Sequence, residues 1–256
     1  MNYIFLSHDV DWRKQGPSPE HIMARKERFE SNILKNLDSQ NPYYNFPDYM
    51  ELEDKLGIRS TFFFRTKYEN GDYLDYEDEI NELSKGGWEI GLHSDPNLIN
   101  NIENVRKEKN DLEILTKNEI LGNRVHYLGF NQELPQVLQE LGFIYDSSIK
   151  HTKDSIDVND TGYYFYDKLI ELPITLMDAY MFTYMKLSEN QIISTAKQAL
   201  DMVRNDPKKN IISVIWHDNV LKMKGGRMYY DLIEFFTNQN DFEICTGKEI
   251  AAKINN

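Results

Sequence analysis

Cysteine is almost absent from this chain of 256 residues, in which Cys245 is the only one. An intramolecular disulfide is therefore excluded, and a single thiol in a chain of this length is typical of a reducing compartment. Long hydrophobic runs are missing too, because no apolar stretch approaches the roughly 20 residues that cross a bilayer. Residues 3–7 are too few for the core of a secretory leader, and no basic segment precedes them. We therefore expect a soluble cytoplasmic protein without a membrane span.

Positive charge is also scarce. Lysine and arginine together number 29 against 42 aspartate and glutamate residues, which gives a net charge of −13. So acidic a chain repels a phosphate backbone, and nucleic acid is not an expected partner. Internal repeats and low-complexity segments are lacking as well. The length is sufficient to bury a large core, and we expect residues 1–256 to form a single catalytic domain.

The most informative stretch that is present is a short apolar strand ending in two acids. Residues 3–7 are largely apolar, and Asp9 and Asp11 follow, with His8 beside them. Side chains two positions apart on a strand point the same way, so the two carboxylates should project together. Such a pair binds a cation or divides the tasks of base and ligand. The alternative is a solvated turn in which Asp11 caps a following helix.

A recurring pattern along the chain predicts an α/β fold. Predicted helices over residues 48–56, 76–85 and 135–141 each stop at a glycine, and a short apolar strand follows each of them. Glycine commonly ends a helix, and regular alternation of helices and strands is typical of parallel sheets and barrels. The strand at residues 211–216 is almost wholly apolar, which indicates cover on both faces. We predict a barrel of seven or eight strands rather than an open sheet.

Three further elements are predicted in enough detail to be compared with the structure. Ser18 forms the N-cap of a helix whose apolar residues continue at helical spacing to Leu37. The longest helix is expected over about residues 98–121. Residues 163–166 and 169–174 are expected to pair as a local hairpin.

Polar residues collect where the predicted strands end. In a barrel of parallel strands the carboxyl ends form one rim, and active sites are built there. Two histidines, His21 and His151, fall in a helix and a loop and are expected to be ordinary surface residues. The other four lie on strands or strand ends of the predicted rim: His8, His93, His126 and His217. A single histidine indicates little, but four on one rim indicate a site.

Four short blocks in a fixed order resemble the polysaccharide deacetylases, the NodB-homology group of carbohydrate esterase family 4. They are Asp-Val-Asp at 9–11, Gly-Leu-His-Ser at 91–94, Arg-Val-His-Tyr at 124–127 and Ile-Trp-His at 215–217. Each block is weak alone, but the ordered set is fairly specific and covers about residues 3–220. The resemblance implies an α/β fold of the distorted (β/α)7 type, a TIM-like barrel. It also implies metal-dependent hydrolysis of N-acetyl groups on sugars.

The resemblance assigns three catalytic roles. Asp9 matches the general base, and Arg124 matches the arginine that orients it. His217 matches the general acid that protonates the leaving amine. An acid is needed because an amide bond does not break readily until the departing nitrogen is protonated.

The implied metal site departs from the family pattern at one position. Asp11 and His93 match two ligands, but the family's second histidine, four residues after the first, is Asn97 here. An amide oxygen is a poorer ligand than imidazole and would favour weaker binding or a harder ion. We expect these three residues to hold a divalent metal, with zinc as the first choice.

Three residues are expected to contact the substrate: Tyr127, His126 and Trp216. The backbone N–H of Tyr127 would also stabilise the oxyanion of the tetrahedral intermediate. Tyrosines elsewhere could stack on sugar rings, although packing at the ends of the barrel accounts for them equally well. The expected substrate is a saccharide, nucleotide-linked or lipid-linked sugar. A cytoplasmic enzyme would meet such precursors of lipopolysaccharide O-antigen or other surface polysaccharide, rather than mature cell wall.

Three functions remain open from the sequence. The complete catalytic set favours a sugar N-deacetylase. It is equally compatible with hydrolysis of a non-sugar C–N bond, as in allantoinase-like and imidase-like relatives. Asn97 in place of a histidine favours a degenerate barrel that binds carbohydrate without turnover. The fold alone cannot choose among them, because one fold supports many functions.

Overall fold

The computed structural model describes residues 1–204, 206 and 208–255. The strands are β1 Asn2–Val10, β2 Thr61–Phe64, β3 Lys67–Tyr68, β4 Gly71–Asp72, β5 Glu89–Ser94, β6 Gly122–Val125, β7 Tyr145–Asp146, β8 Tyr164–Tyr166, β9 Leu169–Glu171, β10 Leu176–Met177, β11 Ile211–Ile215 and β12 Phe242–Cys245. The helices are α1 Pro19–Met23, α2 Ser31–Leu34, α3 Phe46–Leu56, α4 Glu77–Lys85, α5 Ile102–Thr116, α6 Leu134–Glu140, α7 Asp178–Thr183, α8 Glu189–Arg204, α9 Tyr229–Thr237 and α10 Gly247–Asn255. Within the described ranges, no helix combines the length and the apolar character that crossing a membrane requires.

The main sheet is parallel and curled. Its strand order is β10-β11-β1-β2-β5-β6-β7-β9-β8, with β12 also paired to β1, and only β8 and β9 run antiparallel. The segment that joins β9 to β10 turns the sheet back on itself. The Leu172 N–H donates to the Asp146 carbonyl at 2.9 Å, whereas the Thr175 N–H donates to the Ser213 carbonyl on β11 at 2.9 Å. The predicted distorted barrel of the TIM-like type is confirmed by this curled sheet.

The interior of the curled sheet contains an apolar layer. Phe5 and Phe63 pack edge-on against each other and against Tyr145. Ile250 of α10 belongs to the same buried cluster, so α10 packs against this layer. Because side chains alternate along a strand, the residues that follow Phe5 at steps of two face the same interior. These are Ser7 and Asp9 on β1 and Asp11 just after it, which form a polar layer above the aromatic one.

The other face of the sheet packs on the helices. From β1 it presents Ile4, Leu6 and Val10, and all three are completely buried. They belong to one large apolar cluster with side chains of the neighbouring strands and of α4, α5, α8 and α9. A sheet covered on both faces explains why the strands are nearly continuous apolar runs.

The first predicted helix differs most from its prediction. Instead of one helix from Ser18 to Leu37 the chain forms α1, a short 3-10 turn at Lys26–Arg28, and α2. Phe29 adopts an extended conformation between them and forms an isolated bridge with Met223. Burial of Phe29 outweighs the weak preference of the segment for a continuous helix, because isolated helices of this length are marginally stable.

Two other predicted elements have clear outcomes. The hairpin is confirmed, since β8 pairs antiparallel with β9. The helix predicted over residues 98–121 is shorter at both ends. The Asn101 side chain caps its start by accepting the Glu103 N–H, and Lys117 ends it in the left-handed conformation.

Candidate active site

Asp9 at the end of β1 and Asp11 just after the strand both meet a histidine of β5. His93 Nε2 lies 3.2 Å from Asp11 Oδ1 and 3.8 Å from Asp9 Oδ2. His8, which precedes Asp9, points away from the acids to the opposite face of the sheet. There its Nδ1 donates to the Trp216 carbonyl at 2.6 Å, and its Nε2 is 2.9 Å from Glu53 Oε1. The prediction that His8 faces the common rim was therefore wrong, for the same reason of alternation that brings the two acids together.

Asp9 is held by a completely buried arginine. Arg124 Nη1 donates to Asp9 Oδ1 at 2.6 Å and to Ser7 Oγ at 2.9 Å. The guanidinium lies 4.3 Å from the centroid of the Phe63 ring, so the aromatic layer supports it from below. Although burial alone would raise the pKa of Asp9, the charge of Arg124 lowers it below its usual range. Asp9 is therefore an ionised carboxylate that can accept a proton.

Arg124 is in turn fixed by the turn that follows β7. Its Nε donates to the Ser147 carbonyl and its Nη2 donates to Ser147 Oγ, both at 2.9 Å. Ser148 Oγ accepts the Val125 N–H next to Arg124, also at 2.9 Å. The four guanidinium hydrogen bonds thus reach backbone and side-chain groups of β1 and of the turn after β7. This rigidity keeps Asp9 in one position.

A cluster of three ligand-type side chains lies beside Asp9. The ligand atoms of Asp11, His93 and His126 all lie within 4.8 Å of one another. His126 Nε2 is 3.4 Å from Asp11 Oδ1. Burial lowers the pKa of His126 to about 4, even though the charge of Asp11 acts in the opposite direction. A neutral histidine is the form that can bind a metal.

The tautomer of His93 also suits a metal. Its Nδ1 is 2.9 Å from the Arg124 carbonyl oxygen, and a carbonyl can only accept a hydrogen bond. In a neutral imidazole the proton would therefore be on Nδ1, which leaves Nε2, the nitrogen nearest Asp11, as the atom that can bind a metal. This backbone contact is the kind of outer partner that orients a metal-binding histidine. One carboxylate and two imidazoles form a three-ligand set that fits zinc with a coordination position left open.

His217 approaches the cluster from the other side. Its Nε2 lies 3.5 Å from Asp11 Oδ2, and its Nδ1 donates to Asp178 Oδ1 at 2.6 Å. Asp178 also accepts the backbone N–H of His217 through its second oxygen at 3.1 Å. Burial lowers the pKa of His217, but the charge and hydrogen bond of Asp178 raise it to about 10. His217 is therefore a protonated group that faces the site through Nε2.

The architecture has clear counterparts among solved structures. A protein from Mycobacterium smegmatis assigned as a polysaccharide deacetylase matches 99% of this chain and 91% of its own, with a TM-score of 0.66 and 18% identity. This chain has the polysaccharide deacetylase fold. Puue allantoinase matches 98% of this chain and 90% of its own, with a TM-score of 0.67 and 16% identity. A pseudoenzyme of the CE4 family from Bacillus anthracis matches 98% of this chain and 66% of its own, with a TM-score of 0.51 and 11% identity. The sequence matches no family model and no curated protein.

Within this polysaccharide deacetylase fold, Asn97 lies outside the three-residue cluster. It is exposed, and both its backbone N–H and its side-chain amide donate to Asp95 Oδ1, at 2.8 and 2.9 Å. His126 stands in the cluster instead, although the sequence reasoning gave it a role in substrate contact. One clue was available beforehand, because His126 follows Arg124 by two positions and therefore faces the same interior.

Trp216 is not placed where a substrate could reach it. It is completely buried, and its indole N–H donates to the Gly226 carbonyl at 2.9 Å. Strand alternation again explains the outcome, because Trp216 precedes His217 and so faces the opposite side of the sheet. Trp216 therefore belongs to the packing between sheet and helices.

Tyr127 lies at the mouth of the site. It is 82% exposed, its ring stacks on His126 at 3.8 Å, and it lines a cavity of about 720 Å³ together with Asp11. Tyr127 and Leu128 both have positive φ, at 60° and 55°. Two consecutive non-glycine residues in this region store backbone strain, and such strain concentrates at functional sites.

A buried acid pair that sequence reasoning missed supports the turn after β7. Glu171 Oε1 accepts the N–H groups of Ser148 and Ile149 at 3.1 and 2.9 Å, and Asp146 Oδ1 accepts Ser148 Oγ at 2.9 Å. Burial raises the pKa of Glu171 well above its usual range, and the adjacent Asp146 carboxyl raises it further. Glu171 is therefore neutral and can donate its proton to Asp146.

Replacement of Glu171 by glutamine is expected to preserve this pair. The amide oxygen still accepts both N–H groups, and the amide nitrogen can donate to Asp146 as the carboxylic acid does. A raised pKa stabilises the wild-type protein at low pH, and this contribution is lost as the pH rises towards the folded-state pKa. Glu171→Gln should remove that loss, which urea unfolding over a range of pH would measure. Glu171→Ala, which orphans two buried N–H groups, should instead cost about 1–3 kcal/mol for each at every pH.

Proposed function

We propose that this protein is a metal-dependent hydrolase that removes an N-acetyl group from a saccharide. One arrangement carries the proposal: Asp11, His93 and His126 lie together between an ionised Asp9 and a protonated His217. A base and an acid on two sides of a metal-type cluster are what hydrolysis of an amide requires. The likeness in fold to a polysaccharide deacetylase supports a sugar amide as the substrate.

Each residue then has a defined task. Asp9, which Arg124 keeps ionised, removes a proton from the attacking water. His217 gives its Nε2 proton to the departing nitrogen while Asp178 stabilises its charge. The backbone N–H of Tyr127 donates to the developing oxyanion. A divalent metal held by Asp11, His93 and His126, for which zinc is proposed, would acidify the water and polarise the acetamido carbonyl.

The surroundings of the base and of the acid shift their pKa values in opposite directions. Arg124 lowers the pKa of Asp9, whereas Asp178 raises that of His217, after burial has acted in the opposite direction on both. Two titratable groups whose pKa values are pushed apart are the mark of an assigned base and an assigned acid. Both groups are thus in their working protonation states near neutral pH.

The proposal can be tested by acetate release. The purified protein would be stripped with a chelator, reloaded with zinc, cobalt or nickel, and offered N-acetylglucosamine oligosaccharides and allantoin in parallel. Metal-dependent acetate release from the sugars supports the proposal. Turnover of allantoin alone would support the second candidate, which the likeness in fold to Puue allantoinase favours. Binding of the sugars without turnover under any metal would indicate a degenerate barrel and would contradict the proposal.

Asp178→Asn should change the pH dependence of turnover. An asparagine cannot stabilise the imidazolium of His217 by charge, so the pKa of His217 should fall. Because the general acid works only while protonated, the loss of kcat on the alkaline side should begin at lower pH in the variant. A pH profile of kcat measures this directly. An unchanged alkaline limb would show that His217 is not the acid.

A further inference from the structure

The arginines of this protein fall into two groups, those that form ion pairs with carboxylates and those that do not. The chain has nine arginines in an acidic background of 42 aspartates and glutamates. Five of them form ion pairs with carboxylates: Arg59, Arg106, Arg124, Arg204 and Arg227. In residues 1–204, 206 and 208–255 the other four form none: Arg13, Arg25, Arg28 and Arg65. Where carboxylates are so abundant, four arginines without one need an explanation.

All four unpaired arginines line two cavities that share Asp11. Arg13 and Arg65 line the larger cavity, of about 720 Å³. Arg25 and Arg28 line the smaller one, of about 230 Å³. The arginines that lack a carboxylate are therefore found at the candidate active site and not elsewhere on the described surface.

The smaller cavity is the more positive of the two. Asp11 is the single acid among the residues that line it, against the two arginines Arg25 and Arg28. The larger cavity, by contrast, includes Glu69 and Asp95 as well as its two arginines. An anion entering the smaller cavity would meet two guanidinium groups next to the proposed general acid.

Most of the hydrogen-bond donors of these two guanidinium groups remain available. Arg25 Nη1 donates to the His21 carbonyl at 3.3 Å, and the side chain of Arg28 makes no hydrogen bond to another described residue. Each guanidinium has five N–H donors in a planar fork that matches the oxygens of a phosphate. One arginine can bind a single carboxylate bidentately, so two unpaired arginines in one small cavity fit a dianion better.

We propose that the smaller cavity is a phosphate subsite and that the substrate is a phosphate ester of an acetamido sugar. Arg25 and Arg28 bind the phosphate, and this places the sugar against Asp11 and His217. Arg13 and Arg65 add positive potential at the entrance of the larger cavity. This inference rests on the proposed function for the sugar part of the ligand, while the phosphate part rests on the arginines alone.

Binding measured without metal tests the subsite. Isothermal titration calorimetry of the full chain in a chelator would compare N-acetylglucosamine 1-phosphate with N-acetylglucosamine, so that phosphate cannot bind a metal ion. The phosphorylated sugar is expected to bind at least about tenfold more tightly, as for charge-assisted contacts. The preference should weaken as salt is added, because partly exposed charges are screened.

Variants decide whether the arginines cause the preference. The Arg25→Gln/Arg28→Gln protein should lose this preference. The matched control is Arg106→Gln, which changes a half-buried arginine of α5 paired with Glu103 and should retain the preference. Arg25 is half-buried and Arg28 exposed, so the double variant is expected to fold, and its melting temperature would verify this. A preference that survives in the folded double variant overturns the proposal.

Two further outcomes separate this proposal from the proposed function. The phosphate subsite is overturned if the neutral and the phosphorylated sugar bind with equal affinity. It is also overturned if the carboxylate sugar N-acetylmuramic acid binds as tightly as N-acetylglucosamine 1-phosphate. If acetate is nevertheless released from neutral sugars, the hydrolase function stands without it. Conversely, an arginine-dependent preference together with no acetate release under any metal leaves the subsite standing and removes the hydrolase.

Discussion

Asp9→Asn is expected to lower the rate of acetate release by about a hundred- to ten-thousand-fold, the usual range for loss of a general base. The amide cannot accept a proton from water. It also leaves the completely buried Arg124 without a counter-charge, so the variant should lose about 3–5 kcal/mol of unfolding free energy. Acetate release and urea unfolding on the same preparation would measure both effects.

A matched control separates the chemical effect from the loss of stability. Asp160 forms a similarly buried ion pair with Lys150, at 3.1 Å, among residues outside the cavities at the candidate site. Asp160→Asn should therefore be destabilised in the same way but retain acetate release at temperatures where it is folded. Wild-type activity in folded Asp9→Asn would remove Asp9 from the mechanism.

A double variant tests the pairing with Arg124. Combining Asp9→Asn with Arg124→Met removes the unpaired buried charge, so part of the lost stability should return. Activity should not return, because the base is still missing. A double variant less stable than the sum of the two single changes would contradict the account of Arg124 as the counter-charge of Asp9.

His126→Ala is expected to weaken zinc binding by at least about a hundredfold. Removing a residue that only hydrogen-bonds to a metal ligand typically weakens metal binding by about 10–100-fold. Removing a ligand itself should weaken metal binding more. Competition with a chromophoric chelator on metal-free protein measures the affinity. The fold should survive, because the side chain lies at the edge of the cavity and stacks on the exposed Tyr127.

Asn97 provides the matched control for His126. It follows His93 by four residues, where the family pattern has a histidine, but it is exposed and bonded to Asp95. Asn97→Ala should therefore leave zinc affinity nearly unchanged, and Asn97→His should not raise it. If Asn97→Ala weakens binding as much as His126→Ala does, the ligand set proposed here is wrong.

Much of the fold and part of the site could be read from local patterns. The barrel followed from helices that end at glycine before short apolar strands, and the hairpin of β8 and β9 followed from its two apolar runs. The neighbourhood of Asp9, Asp11 and His93 followed from their positions at strand ends, because parallel strands bring those ends to one rim. These features depend on the spacing of apolar residues and on the order of helices and strands along the chain.

Other features depended on partners far away in the sequence. The extended conformation of Phe29 is set by Met223, which breaks the predicted first helix. The acid pair of Asp146 and Glu171 exists because β7 and β9 are neighbours in the sheet. Neither contact could be predicted from the residues near it in the sequence, because each joins two segments that are far apart along the chain.

The amino-acid sequence by itself determined the alternating α/β architecture and the set of chemical groups at the strand ends, because periodicity and order are local properties. Tertiary structure alone decided which of those groups meet. It turned His8 and Trp216 to the outside of the barrel and left Asn97 at the surface. It also brought His126 to Asp11, at 3.4 Å, because the curl of the sheet sets which side chains converge on its axis.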